Sequence, residues 1–220
     1  MLFPLAISRA KSPRAPLWQR GVGGIWQSGA RGILCESGVG GIQGVFGGDR
    51  RDAMTTPANR TVVAHVLTER QLLEVIHQAE AGYPEEICGI VIGKPGASET
   101  YRVRQVENIA NRERQRDPVG VERDARTAYR MDDLQVLHLN HEADEAGLEV
   151  VTIYHSHPDH EAYFSQMDRE RSLWLGGPLW PGANYLVISV RAGRAQDGRY
   201  FVWDEDCKDF VQVAVKLPRS

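Results

Sequence analysis

Two histidines, a serine and an aspartate crowd one stretch of this sequence, Tyr154 to Asp168, which reads YHSHPDHEAYFSQMD. The apolar residues Val150, Val151 and Ile153 lead into it and predict a buried β-strand running up to His155. Successive strand side chains alternate faces, so His155 and His157 point the same way and can grip one metal ion. Pro158 lacks the N–H a ladder needs and is expected to stop the strand. Ser165 and Asp168 stand three apart at the expected start of a helix, which again means one face. Two imidazoles and one carboxylate suit Zn²⁺ with the fourth position left for water, the pattern of a catalytic rather than a structural site. Taken singly, each residue has a plainer reading: histidines beside a loop are often polar surface, and Ser-x-x-Asp serves as a helix cap. The complete spacing, His-x-His, seven residues, Ser, two residues, Asp, sets the metal reading above the plain one.

The elements that must position these groups follow from pattern. Thr68 precedes Glu69 to Ala81, where Leu72, Leu73, Ile76 and Ala79 fall at helical spacing. Thr68 with Gln71 fits a capping box, and Gly82 is expected to end the helix. Val62 to Leu67 ahead of it reads as a short strand. Glu86 to Gly93, EICGIVIG, is a continuous apolar run behind an acid, as for a central strand. Glu85 and Glu86 are adjacent and face opposite sides in extended chain; Glu86 shares a side with Cys88 and Ile90. On residues alone, both acids are equally well solvated turn residues, and Cys88 is a small core residue rather than a nucleophile.

Tyr101 to Val106 alternates like a strand. Asn108 to Arg126 is polar and charged and is expected to be a long mobile loop, of the kind that holds substrates. Tyr129 to Ala146 reads as a helix with Met131, Leu134, Leu137 and His138 on nearby faces, closed by Gly147. Met167 to Leu175 continues the helix begun near Ser165. Tyr185 to Val190 is an apolar strand, Arg191 to Arg199 a turn region, and Tyr200 to Trp203 and Phe210 to Val215 are short strands. His77, His138, His141 and His160 are expected at the surface, and Trp174, Trp180 and Trp203 in the core or at its rim.

Composition narrows the class. The chain has 220 residues, 42% hydrophobic and 25% charged, with a net charge of −3, so its total charge shows no nucleic-acid footprint. No apolar run approaches a membrane span. Cys35, Cys88 and Cys207 are sparse and odd in number, which suits a reducing cytoplasm without disulfides. None has the spacing of a zinc clip. Residues 1–57 are rich in Gly, Arg, Ser and Pro and hold an imperfect repeat, GVGGI at Gly21 and again at Gly38. Such composition predicts a disordered tail. A start of translation at Met54 would remove most of it, and tryptic peptides from before Met54 would exclude that start. The remainder, 58–220, is expected to form one domain.

With His155, His157, Ser165 and Asp168 so spaced, and Tyr83 to Gly93 reading YPEEICGIVIG, the sequence resembles the JAMM (JAB1/MPN/Mov34) metalloprotease family. Tyr129-Arg-Met-Asp132 matches a further phrase of that family. The resemblance runs from about Val66 to Phe201. It implies an α/β fold, a mixed curved sheet flanked by helices in a three-layer arrangement like that of cytidine deaminases. It implies one Zn²⁺ per chain on His155, His157 and Asp168, with Glu86 as the acid that handles the proton of water and Ser165 as a donor to the oxyanion. A core this short resembles the prokaryotic branch, whose substrates are ubiquitin-like sulfur carrier proteins cut after a C-terminal Gly-Gly. The lysine-linkage-specific deubiquitinases of the family add a second zinc. No histidine follows His160 here, and only Cys207 remains to build one. The alternatives are a non-catalytic interaction module and a deubiquitinase-like isopeptidase; a zinc deaminase is excluded because it needs a Pro-Cys-x-x-Cys pair. The resemblance leaves a homodimer open and implies neither a nucleic-acid nor a membrane partner.

Overall fold

Apolar strands that alternate against two helices set the architecture. The computed structural model describes residues 65–214 and 217–218; the expected tail, 1–57, lies outside them, as do residues 62–64 of the first expected strand. His65 to Leu67 are irregular rather than extended in a ladder. The elements in order are α1 (Glu69–Gly82), β1 (Cys88–Gly93), β2 (Arg102–Val106), α2 (Ala110–Arg116), α3 (Asp133–Ala146), β3 (Glu149–Pro158), α4 (Gln166–Arg171), β4 (Leu173–Trp174), β5 (Gly177–Pro178), β6 (Asn184–Arg191), β7 (Arg194–Asp204) and β8 (Asp209–Ala214).

Six strands form one sheet in the order β2-β1-β3-β6-β7-β8. The sheet is mixed: β3 and β6 run parallel, and the other neighbours are antiparallel. The two faces of β1 show the layering. Val91 packs with Leu72, Val75, Ile76 and Ala79 of α1, whereas Ile90 and Ile92 pack with Ala143 of α3. Strand alternation therefore places α1 on one side of the sheet and α3 on the other. The mixed sheet between helices is the fold expected from the sequence.

Local signals explain several boundaries. Thr68 and Gln71 form the reciprocal capping box at the start of α1. Gly147 closes α3 at φ 63°, a left-handed position that glycine takes without penalty. Gly82 is the last residue of α1, with Tyr83 as the C-cap, and glycine is needed there because a Cβ would collide with the Ile87 side chain.

Four expectations need correction. Asn108 to Arg126 is no open loop: Ala110–Arg116 is helical, and Ala125 is buried. α3 starts at Asp133, not Tyr129, because the Asp132 side chain caps it by accepting from the N–H groups of Leu134 and Gln135. Its inward stripe is Val136, Leu139 and Ala143, and Leu134 is exposed. α4 stops at Arg171, where a two-residue hairpin, β4 with β5, replaces the longer helix. β7 begins at Arg194, so the turn before it is only Ala192 and Gly193, both with positive φ. That is the backbone of a tight hairpin. Cys88 is buried and free.

Candidate active site

Strand β3 delivers both histidines to one face. Ile153 on that face joins an aromatic cluster with Phe164, Tyr185, Phe201 and Phe210. His155 and His157 follow at the same parity and are buried. Phe164 anchors the chain just before α4: its ring lies 5.0 Å from Phe201 and 5.1 Å from Phe210. That anchor presents the α4 capping box to the histidines. Ser165 Oγ accepts from the Asp168 N–H at 3.1 Å and donates to Asp168 Oδ2 at 2.6 Å, and the Ser165 N–H donates to the same oxygen at 2.9 Å.

The three donor side chains converge. His155 Nε2 and His157 Nε2 are 3.1 Å apart, and Asp168 Oδ2 lies 3.6 Å from the first and 3.8 Å from the second. Zinc bonds of about 2.0–2.2 Å at tetrahedral angles separate neighbouring ligand atoms by about 3.3–3.6 Å. The set therefore fits such an ion, and His155, His157 and Asp168 are the group among the described residues that brings three ligand atoms within 4.8 Å of one another. The electrostatics of the set follow from its burial and its own charges. Burial, reinforced by the neighbouring His155 charge, pushes His157 down to about 4, so its Nε2 lone pair is bare at neutral pH. Its Nδ1 faces the Glu161 carbonyl at 2.9 Å, which assigns the ring proton there. For Asp168, burial opposes ionisation, but the His155 charge and the Ser165 hydrogen bonds outweigh it and hold the carboxyl well below its usual range. For His155, burial is outweighed by the Asp168 carboxylate, and the pKa rises.

The two rings are held differently. His155 Nδ1 is buried without a hydrogen-bond partner, so no acceptor fixes the ring from that side. Instead Tyr129 stacks on it, with centroids 4.5 Å apart and planes at 27°. Tyr163 covers His157 at 4.9 Å. Sequence reasoning noted Tyr129 only as a matching phrase; its stacking depends on a loop that returns to the sheet and has no local signature.

Glu86 sits just ahead of β1. Cys88 pairs with His155, and the Ser156 N–H to Ile87 carbonyl bond (3.0 Å) carries the pairing onward, so Glu86 arrives beside the His157 end of β3. It is buried, while Glu85 is exposed and accepts from Asn111. Of the two acids, Glu86 is the one on the histidine side. Burial lifts its pKa to about 7, opposed by the charges of His155, Arg123 and Arg171. Glu86, His157, Ser165 and Asp168 line one cavity of ≈ 400 Å³. His160, though exposed, stands at its rim. Cys88 is no thiolate, since burial raises its pKa far above neutrality.

One residue that sequence reasoning passed over organises this side. Asn108 donates to the carbonyls of Glu86 (2.8 Å) and Ala128 (3.1 Å), and its Oδ1 accepts from the N–H groups of Ala110 and Arg130, each at 3.0 Å. Both amide hydrogens and both lone pairs are used. Asn108 thus ties the strand end that carries Glu86 to the loop that carries Tyr129.

An α/β sheet with a buried histidine, histidine and aspartate set facing an acid is the architecture of the JAB class of metal-site proteins. The chain belongs to the prokaryotic homologs of the JAB domain, whose family model matches residues 68–203. It is similar to the desampylase of Haloferax volcanii, 28% identical over 134 residues, 61% of this chain and 79% of that one. It is also similar to the CysO-cysteine peptidase of Mycobacterium tuberculosis, 28% identical over 131 residues, 60% of this chain and 77% of that one. A solution structure of a Desulfitobacterium hafniense protein aligns over 70% of this chain and 92% of its own, at 21% identity and a TM-score of 0.49, a level that carries no functional argument. Among the described residues no helix is long and apolar enough to cross a membrane.

Proposed function

We propose that the chain is a zinc-dependent peptidase that hydrolyses the bond after the C-terminal Gly-Gly of a ubiquitin-like sulfur carrier protein, releasing a terminal amino acid or short peptide. One observation carries the reading: the buried acid Glu86 shares one cavity with His157 and Asp168, two members of the three-donor set whose third, His155, is buried behind them. The names of the relatives, one of them a peptidase acting on CysO-cysteine, support the substrate class.

In this reading His155, His157 and Asp168 hold one Zn²⁺ per chain, which polarises a carbonyl and brings the pKa of a water to about 7. Glu86 takes the proton of the attacking water and returns it to the leaving amine as the C–N bond breaks. A carboxyl with a pKa of about 7 is suited to both steps at neutral pH. Tyr129 and Tyr163 keep the imidazoles in place and shield them from solvent. Ser165 faces the cavity, but its one hydroxyl proton lies on Asp168. It serves as an oxyanion donor only by turning away from that carboxylate; its standing work is to hold Asp168. The peptidase domain takes residues 58–220, and the enzyme acts in the cytoplasm. A complete donor set speaks against a non-catalytic module.

The test pairs the zinc-loaded protein with small proteins of the same genome that end in Gly-Gly plus extra residues, and weighs the products. Loss of the extension mass, absent with Glu86→Gln, is the expected result. A zinc-loaded protein that leaves every such carrier intact overturns the reading.

A further inference from the structure

The cavity beside the donor set adjoins a second hollow of ≈ 310 Å³, bounded by the 110–130 segment and α4. Arg123 and Arg171 line both spaces. Their neighbours Arg112, Arg114, Arg130 and Arg169 are all paired with carboxylates. Arg123 and Arg171 have no ion pair among the described residues, although each is held by the main chain. Arg171 Nη1 donates to the Tyr129 carbonyl at 2.9 Å, and Arg123 Nη1 donates to the Thr127 carbonyl at 3.4 Å. Each guanidinium keeps further N–H groups for a ligand. Both charges act on Glu86, drawing its pKa down against burial, so both stand near the reacting end of the cavity. Of the acids on the second hollow, Glu113 is already engaged by Arg130, which leaves Glu122 as the one counter-charge there. Two anchored cations flanking one opening match an anion with planar paired oxygens.

The geometry points to Arg123 and Arg171 as a clamp for the free α-carboxylate of the residue that leaves after Gly-Gly. This rests on the peptidase reading above and adds to it a rule of specificity. In a carrier extended by one amino acid, the terminal carboxylate is two bonds beyond the amide nitrogen and falls within the same cavity as Glu86. In a lysine isopeptide the leaving nitrogen is the ε-amine and carries no such carboxylate. The clamp therefore selects single-residue trimming over release of a conjugated protein, and it offsets the repulsion between the substrate carboxylate and an ionised Glu86.

The experiment uses the zinc-loaded full chain and one carrier in two forms, Gly-Gly-Ala with a free carboxylate and Gly-Gly-Ala with a C-terminal amide. The expected kcat/KM for the acid exceeds that for the amide by about tenfold or more, mainly through KM. In Arg171→Met and in Arg123→Gln the ratio falls to within about twofold. Arg123→Gln leaves the Arg171 contact to Tyr129 untouched, so it reads the clamp even where Arg171→Met disturbs the Tyr129 stack. Equal rates for acid and amide in the unaltered protein overturn the clamp, as does a preference that survives both substitutions. Calorimetric binding of the peptides Gly-Gly-Ala and Gly-Gly-Ala-amide to the zinc-loaded Glu86→Gln protein separates this failure from failure of the peptidase reading. Tighter binding of the acid, lost with either arginine, sustains the clamp even if no carrier is cut, and equal binding ends it.

Discussion

The side-chain amide of Asn108 donates to the main-chain carbonyl of Glu86 at 2.8 Å, and through that bond a residue two positions past β2 fixes where the buried acid stands. The same side chain accepts from the Arg130 N–H, one residue from the tyrosine that stacks on His155. Asn108→Ala removes four hydrogen bonds at once; Asn108→Asp keeps the acceptor side and loses the two donors. A displacement of about 1 Å at a reacting group costs about a hundredfold in rate. Steady-state kinetics of Asn108→Asp are therefore expected to show kcat lowered by about that factor, with the zinc content unchanged. Normal turnover would show that the strand end holds Glu86 without help.

Glu86 carries a cost to stability that its proposed work explains. Its folded-state pKa is about 7, above the ordinary 4.5, so between those values the folded protein holds a proton the unfolded chain releases. Stability from this group is full below pH 4.5 and is lost as pH rises to about 7, the sign of a raised carboxyl. In the metal-free protein, Glu86→Gln is expected to be more stable than the parent by on the order of 2–3 kcal/mol at pH 8 and nearly equal to it at pH 4. The same variant is expected to lose about 10²–10⁴ in kcat while keeping its metal. Denaturant melts at the two pH values, run beside activity, check both halves. A variant that gains no stability at pH 8 would show that the acid is already ionised without strain.

Legibility varied with how local the cause is. The His155 and His157 pair is readable because strand parity alone puts both on one face, and the Ser165–Asp168 box is readable because a cap is a contact across three residues. Glu86 is different. On pattern alone it is a turn acid like Glu85, and only the resemblance to a family singles it out; what buries it is the fold of the 125–131 segment, whose Ala125 carbonyl accepts the Glu86 N–H at 2.6 Å. Asn108 is invisible for the same reason, and Tyr129 shows only within a family phrase, since their partners come from distant chain. The first half of β7 was hidden by Arg194, Gln196 and Asp197, polar side chains on a strand whose outer face is solvated. α2 was hidden because ANRERQR has no apolar stripe beyond Ala110 and so reads as solvated chain.

Ser165 has two tasks that one substitution can separate. Its hydroxyl caps α4 and also donates to Asp168 Oδ2. Loss of the cap in Ser165→Ala is expected to cost about 1 kcal/mol of stability. If the serine also turns to meet the oxyanion, kcat falls by about 10²–10³ with zinc affinity little changed. If holding Asp168 is its only work, zinc affinity falls by about tenfold and kcat at saturating zinc returns toward normal. Given where the proton lies, the second pattern is the expected one. Zinc titrations combined with turnover at saturating metal distinguish the two.

Tyr129 is the partner His155 has in place of a hydrogen-bond acceptor, and metal removal reveals what that is worth. With Nδ1 unpartnered, the imidazole edge away from His157 and Asp168 is oriented by burial and by the stacked ring. Tyr129→Phe keeps the stack and is expected to bind zinc as the parent does. Tyr129→Ala frees the ring and is expected to weaken zinc by about 10–100-fold, the range for loss of a group that orients a ligand. The reason reaches into stability. Three buried donors face one another at 3.1 to 3.8 Å, so an ion that binds only the folded state stabilises it by mass action. At a thousand times its Kd that gain is about 4 kcal/mol. Chelation is therefore expected to abolish turnover and lower the melting temperature of the parent, and added zinc to restore both. In Tyr129→Ala, restoration needs correspondingly more zinc, while the melting temperature after chelation matches that of the chelated parent once the loss of the aromatic packing itself is subtracted by comparison with Tyr129→Leu. A parent protein whose melting temperature ignores both chelator and zinc would mean that His155, His157 and Asp168 do not share an ion.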